Sequence, residues 1–178
     1  MPSLRWVLLC LWPAATAAED WHPNDEWPSF IGDRSAFEVQ AQTCLNGDSG
    51  DAFVACANTL VSACYARPDG GTTLGMWVCN TAMTRIWDGH LNAQWPNARA
   101  LAQASDAQSR THFPEFAQMW DSLLASQRAW IAFRDAQCTF AYAQWGSGSF
   151  RNVAGTGCTM DMTAVRAKVL YDLVASAR

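Results

Sequence analysis

Residues 126 to 138, SQRAWIAFRDAQC, form the stretch on which the fold turns. Its apolar residues recur at helical spacing, which places it in an α-helix, yet it carries Arg128, Arg134, Asp135 and a terminal cysteine. Trp130, Phe133 and the positions one turn away are expected to face a core. Arg128 and Asp135, seven apart on another side, are expected in solvent. Arg134 is the exception, because it lies four residues after Trp130 and four before Cys138, on the same stripe as both. A half-buried guanidinium needs an acceptor, either a carboxylate such as Asp88 or the carbonyls of a helix end. The segment therefore reads as a polar clasp fixing a helix pair, with direct contact to a partner as the functional alternative.

The helix holding this stretch is expected from about Pro114 to Trp145, stopped by GSGSF. Upstream, Met83, Leu91 and Trp95, with Val78 or Cys79 and Ile86 or Trp87, mark one face of a helix over about 74–95, which Pro96 must kink or end. The alanine-rich residues 97–108 can continue it. Phe53, Ala57, Leu60, Val61 and Cys64 define a helix over about 52–65, and a shorter one is expected from Arg34 to about Cys44. Gly155-Thr156-Gly157 is expected to remain loop, with Thr163 capping a last helix that ends near Ala175. No run alternates with period two for long enough to insist on a sheet, so the fold is expected to be mainly α: a small disulfide-stapled helical domain built on an antiparallel helix hairpin.

The amino terminus shows one Arg, an apolar run from Trp6 to Trp12 and small residues before Glu19. Residues 1–18 read as a signal peptide cleaved after Ala17 or Ala18, which makes the protein periplasmic or secreted, with Cys10 discarded in the leader. Six cysteines then remain, Cys44, Cys56, Cys64, Cys79, Cys138 and Cys158, and in an exported chain they are expected to form three disulfides. No two are spaced as zinc ligands, so neither a metal nor a cofactor is expected. A hairpin turning near residue 108 sets Cys79 opposite Cys138, Trp87 opposite Trp130 and His90 opposite Gln127. The competing connectivity joins Cys64 to Cys79 and Cys138 to Cys158, and spacing alone leaves both open. Residues 19–63 form an acidic arm with short helices, pinned to the body by Trp21, Trp27 and Phe30. From Glu19 to Asp51 eight acids face only Arg34. Nucleic acid, which needs a basic footprint, is not an expected partner, whereas a basic protein is allowed.

LLASQRAWIAFRDAQC (123–138), preceded by Cys79, Asp88 and Leu91-Asn92, is followed by GSGS, Cys158 and MTAVRAKVL, which brings Thr163, Arg166 and Leu170. In this combination the chain resembles the lysozyme inhibitor LprI-like family over roughly residues 64–171, within a helical domain taken as 64–178. It departs from the family pattern at Trp95, where tyrosine is usual, and at Pro96. The resemblance implies a small helical protein of the bacterial cell envelope, named after members that inhibit lysozyme. Separately, the apolar run at the amino terminus is well short of the ~20 residues of a membrane span, so no transmembrane segment is expected once the signal is cleaved. Asp88, Leu91, Asn92, Gln127, Arg128, Trp130, Arg134, Asp135, Thr163 and Arg166 carry the family pattern, mostly in structural roles.

Helical register places Trp87, Trp120 and Trp130 in the core, whereas Trp21, Trp27 and Trp145 lie in or beside loops and are candidates for contact. WGSGSFRNVAGTGC (145–158) is expected to protrude as a flexible loop. A lysozyme works with two carboxyl groups, so an inhibiting loop should offer donors to them, and Trp145, Ser147, Ser149, Arg151 and Asn152 are the candidate partner-binding residues. No nucleophile elbow or phosphate-cradling glycine loop occurs, and no catalytic residues are expected. The function expected is periplasmic binding and inhibition of a lysozyme. The alternative is a cell-envelope structural or assembly protein that binds another periplasmic partner and leaves lysozyme alone.

Overall fold

The structure is a computed structural model that describes residues 27–177. The expected signal peptide at 1–18, Trp21 and the first part of the expected acidic arm lie outside the described residues. A 3-10 turn, Ser29–Ile31, leads into α1 (Arg34–Asn46) and α2 (Asp51–Tyr65). Then come α3 (Thr73–His112), a second 3-10 turn (Pro114–Phe116), α4 (Met119–Ala143) and α5 (Arg151–Ala175). Every regular element among the described residues is helical, so the mainly α expectation is met.

Local chemistry sets the helix starts. Asp33 caps α1 by accepting from the Ser35 amide at 3.0 Å, and the Thr72 hydroxyl caps α3 by accepting from the Gly75 amide at 2.9 Å. Gly75 has no substitute there, since a Cβ would lie 1.9 Å from the Asp69 carbonyl oxygen in the turn folded over it. At 40 residues α3 is about 60 Å long. Pro96 sits inside it without ending it, exposed on the side away from the buried Ala98 and Ala102. The missing amide faces water, where the carbonyl it leaves free can be solvated.

The core is made by α1, α2, α3 and α5. Ile31, Leu45, Leu60, Met83, Trp87 and Leu170 are its large fully enclosed side chains, and Phe53 meets Trp87 edge-on at 5.6 Å. Trp27 packs on Phe37 at 6.0 Å and donates to the Gly32 carbonyl at 2.7 Å, so it is a packing residue and not a contact surface. By contrast α4 is peripheral: of its 25 residues only Gln127 and Cys138 are buried. Phe133, expected in the core, is 60% exposed, because Gln127, Trp130, Arg134 and Cys138 take the inward face.

The three disulfides among the described residues each join neighbouring helices in chain order. Cys44–Cys56 ties α1 to α2, Cys64–Cys79 ties α2 to α3, and Cys138–Cys158 ties α4 to α5. The Cys79–Cys138 bridge suggested by hairpin register does not form. The register arithmetic took α4 as the main partner of α3, whereas α5, running parallel to α3, packs against it most extensively. The junction rests on Asn80, fully buried, which accepts from the Tyr65 hydroxyl and donates to the Val153 carbonyl and the Thr156 hydroxyl at 3.2 and 3.3 Å.

The last helix also begins earlier than the glycines suggested. Gly155, Thr156, Gly157 and Cys158 lie within α5, and Thr163 is not a cap: it is buried mid-helix, its hydroxyl donating to the Thr159 carbonyl at 2.7 Å. The glycines are packing sites. A Cβ on Gly157 would meet the Asn80 amide at 3.3 Å, and one on Gly155 would meet the Tyr142 Cβ at 3.1 Å. Their small size lets α3 and α4 approach α5 closely, which outweighs a helix-propensity cost of about 1 kcal/mol each.

Candidate functional site

Two groupings gather the residues singled out in the sequence. The first is the clasp between α4 and α5. Arg166 donates from Nε to the Gln127 Oε1 at 2.8 Å, and its guanidinium lies 5.8 Å from the Trp130 ring centroid. Arg134 covers the same indole at 5.0 Å. Arg134 does not reach Asp88: it donates from Nε and Nη2 to Asp135 Oδ1 at 2.9 and 2.8 Å, while Asp88 accepts from Asn92 on its own helix at 2.7 Å. The start of α4 reaches α3 through Trp120, which meets Trp95, Arg99 and Asp106, whereas Arg134, one residue away from Asp135, takes that adjacent carboxylate as its acceptor. Burial pushes the Arg166 guanidinium below its usual pKa, and its Nη2 is enclosed without an acceptor among the described residues. Two cations on one indole and a buried amide make this a structural joint. Leu91 is buried in the core, and Arg128 is exposed on the outer surface.

The second grouping is the tip where α4 turns into α5. Only residues 144–150 lie between the helices, so the protruding segment is half the expected length and Arg151 and Asn152 open α5. Successive turns close it: the Gly146 amide donates to the Ala143 carbonyl, the Gly148 amide to Trp145 and the Arg151 amide to Gly148, at 3.1, 2.8 and 3.2 Å. Gly146 takes φ +52°, a left-handed conformation that suits glycine, at the point where the helix ends. Trp145 and Phe150 pack against each other across the turn, their rings tilted with centroids 4.6 Å apart, and Trp145 is still 50% exposed. Arg151 folds back, 5.2 Å over the Tyr142 ring, and reaches the Gly146 carbonyl at 3.4 Å. Ser147 and Ser149 are exposed, and neither hydroxyl has a hydrogen-bond partner among the described residues. The tip is a knob of fixed shape with an aromatic flank and two free hydroxyls at its crest.

Phe150 and Tyr142 were not singled out from the sequence, although an aromatic on each side of Gly-Ser-Gly-Ser was a readable sign that the turn is buttressed. Asp106 was also missed. It is buried on α3 and accepts from the Met119 and Trp120 amides at 2.7 and 3.0 Å, capping α4 from another helix. A cap so far away in sequence leaves no local signature. Among the described residues no three His, Cys, Asp or Glu side chains gather as metal ligands, and no helix is long and apolar enough to cross a membrane.

Fold and site together define a disulfide-stapled helical scaffold that presents a rigid turn. The chain belongs to the lysozyme inhibitor LprI family, whose model matches residues 64–170, the region running from the end of α2 through most of α5. It is similar to an uncharacterized protein of Rhizobium meliloti (strain 1021), 28% identical over 125 residues that cover 68% of this chain and 90% of that one. No solved structure matches it.

Proposed function

We propose that this protein is an exported inhibitor of lysozyme-type muramidases that acts by occupying the enzyme's cleft, without chemistry of its own. Family membership supplies the class of target, and the six paired cysteines fit an oxidising compartment outside the cytoplasm. The observation that carries the assignment to a surface is the knob at 144–150. Its turns are tied to both helices, so little conformational entropy is lost when it enters a cleft. Its free Ser147 and Ser149 hydroxyls can donate to the pair of carboxyl groups by which such enzymes work, while Trp145 supplies apolar contact area. Arg151, held against Tyr142, is a brace for the knob, and Asn152 lies beside it at the start of α5.

The test is hydrolysis of peptidoglycan by c-type, g-type and phage-type lysozymes with and without the oxidised mature protein. Dose-dependent inhibition of any of the three supports the assignment. If all three are unaffected at micromolar inhibitor while helical content and three disulfides are verified, the target is another component of the envelope. The outward face of α4 favours that second reading, since Phe133 and Phe140 stand 60% and 58% exposed, one above the other at i, i+7.

A further inference from the structure

Beside the knob, where α4 and α5 part over the Cys138–Cys158 disulfide, lies an open groove of about 640 Å³. Small-ligand clefts span roughly 300–1,000 Å³. Arg134, Asp135, Thr139 and Tyr142 line it from α4, and Asn152 and Thr159 line it from α5. The two charges cancel within the wall, since Arg134 is held by Asp135, so an anion or a cation gains little there. The Thr139 and Thr159 hydroxyls donate to the Asp135 and Gly155 carbonyls at 2.8 and 3.1 Å. With their protons turned onto the helices, they offer oxygen lone pairs, as does the second oxygen of Asp135. The Tyr142 hydroxyl and the Asn152 side-chain amide have no hydrogen-bond partner among the described residues, and both can donate as well as accept. The lining contains no aliphatic hydrophobic side chain.

The chemistry that fits is an uncharged ligand, polar along its length and rich in O–H and N–H donors. We propose that this groove binds an amino-sugar glycan of the N-acetylhexosamine type, whose hydroxyls donate to Asp135, Thr139 and Thr159 and whose acetamide meets Asn152 and Tyr142. Both walls are helical and cross-linked beneath, so the acceptors are in place before the ligand arrives. The proposal is independent of lysozyme inhibition, which it locates on the neighbouring knob. It gives the protein a direct hold on the polymer class that a muramidase cuts.

The experiment is a titration of N-acetylchitotetraose into the oxidised mature protein, with no enzyme present, followed by NMR or calorimetry. Saturable binding is expected, with perturbed signals at Asp135, Thr139, Tyr142, Asn152 and Thr159. Asn152→Ala and Asp135→Asn should each weaken it about tenfold, the scale of one lost hydrogen bond, while Ser147→Ala at the knob leaves it unchanged. Tyr142→Phe removes only a hydroxyl and serves as the variant least able to disturb folding, which circular dichroism checks for all. No saturable binding of the sugar, affinity indifferent to the groove substitutions, or saturable binding of tetra-alanine in its place overturns the proposal.

Discussion

At the scale of single residues, the polar groups inside this protein act as fasteners. Asp106 is the clearest case: one carboxylate satisfies two amides at the start of α4 and places negative charge where the helix dipole favours it. Asp106→Ala should cost about 1–2 kcal/mol, read as a lowered denaturant midpoint with loss of protection concentrated at Met119 and Trp120. His90 is a second case. Half-buried on α3 beside Glu38, Arg34 and Arg85, its imidazole is pushed below its ordinary pKa, chiefly by burial and against the pull of the Glu38 carbonyl and carboxylate. The unfolded chain therefore binds this proton more readily than the folded one, so stability should fall as pH drops through about 6.5 towards the lower folded value. His90→Gln should flatten that part of the stability–pH curve. An unchanged slope in the variant would assign the pH dependence to other groups. At this scale the sequence showed which residues were out of place in an apolar helix but not what they touch. Arg134 was legible as a half-buried cation, while its acceptor was decided by how α3 and α4 cross.

At the scale of elements, the helices were legible and their junctions were not. The stripes of α2 and α3 and the region of α4 followed from periodicity alone, because a helix that buries one face records it every third or fourth residue. The start of α5 did not, because Gly155 and Gly157 punctuate most sequences as loop and here instead make room for Tyr142 and Asn80. Gly155→Leu should accordingly lower the melting temperature by pushing α4 outward, despite leucine's better helix propensity. The Cys138–Cys158 bond holds the same pair of helices. Because α4 buries so little, replacing both cysteines by serine should remove about 3 kcal/mol, the loop-closure scale for 20 residues. Hydrogen exchange should show the loss first in α4, with the α1–α2–α3 region, stapled twice over, retaining its protection. Uniform loss across all five helices would show that α4 is integral to the core.

At the scale of the whole molecule, α1, α2, α3 and α5 make the core of the described residues and α4 is laid against it, with the candidate site at the end where α4 turns back into α5. The two remaining disulfides tie α1 to α2 and α2 to α3, and the Ser49 hydroxyl, donating to Asp172 at 2.6 Å, ties the α1–α2 turn to α5, where Lys168 holds the same carboxylate at 2.5 Å within the helix. The only lysine in the chain is spent inside this network. The chain carries a formal net charge of −4, with its acids concentrated towards the amino terminus. That asymmetry should speed encounter with a basic enzyme, so the association rate should fall as salt rises, while the dissociation rate, which the proposed contact at the knob would set, should change little. The sequence disclosed this charge asymmetry and the family likeness in full. It did not disclose the parallel packing of α5 on α3, because that is a property of three helices at once.

Whether the tip between α4 and α5 carries the proposed inhibition is decided by the affinity of a susceptible lysozyme for the oxidised protein and for its Trp145→Ala variant. Seating of the knob in the enzyme's cleft requires a variant that folds and melts as the parent does but binds at least about thirtyfold more weakly, the loss of a central aromatic anchor. Equal affinity for the two would place the interface elsewhere on the molecule and contradict it.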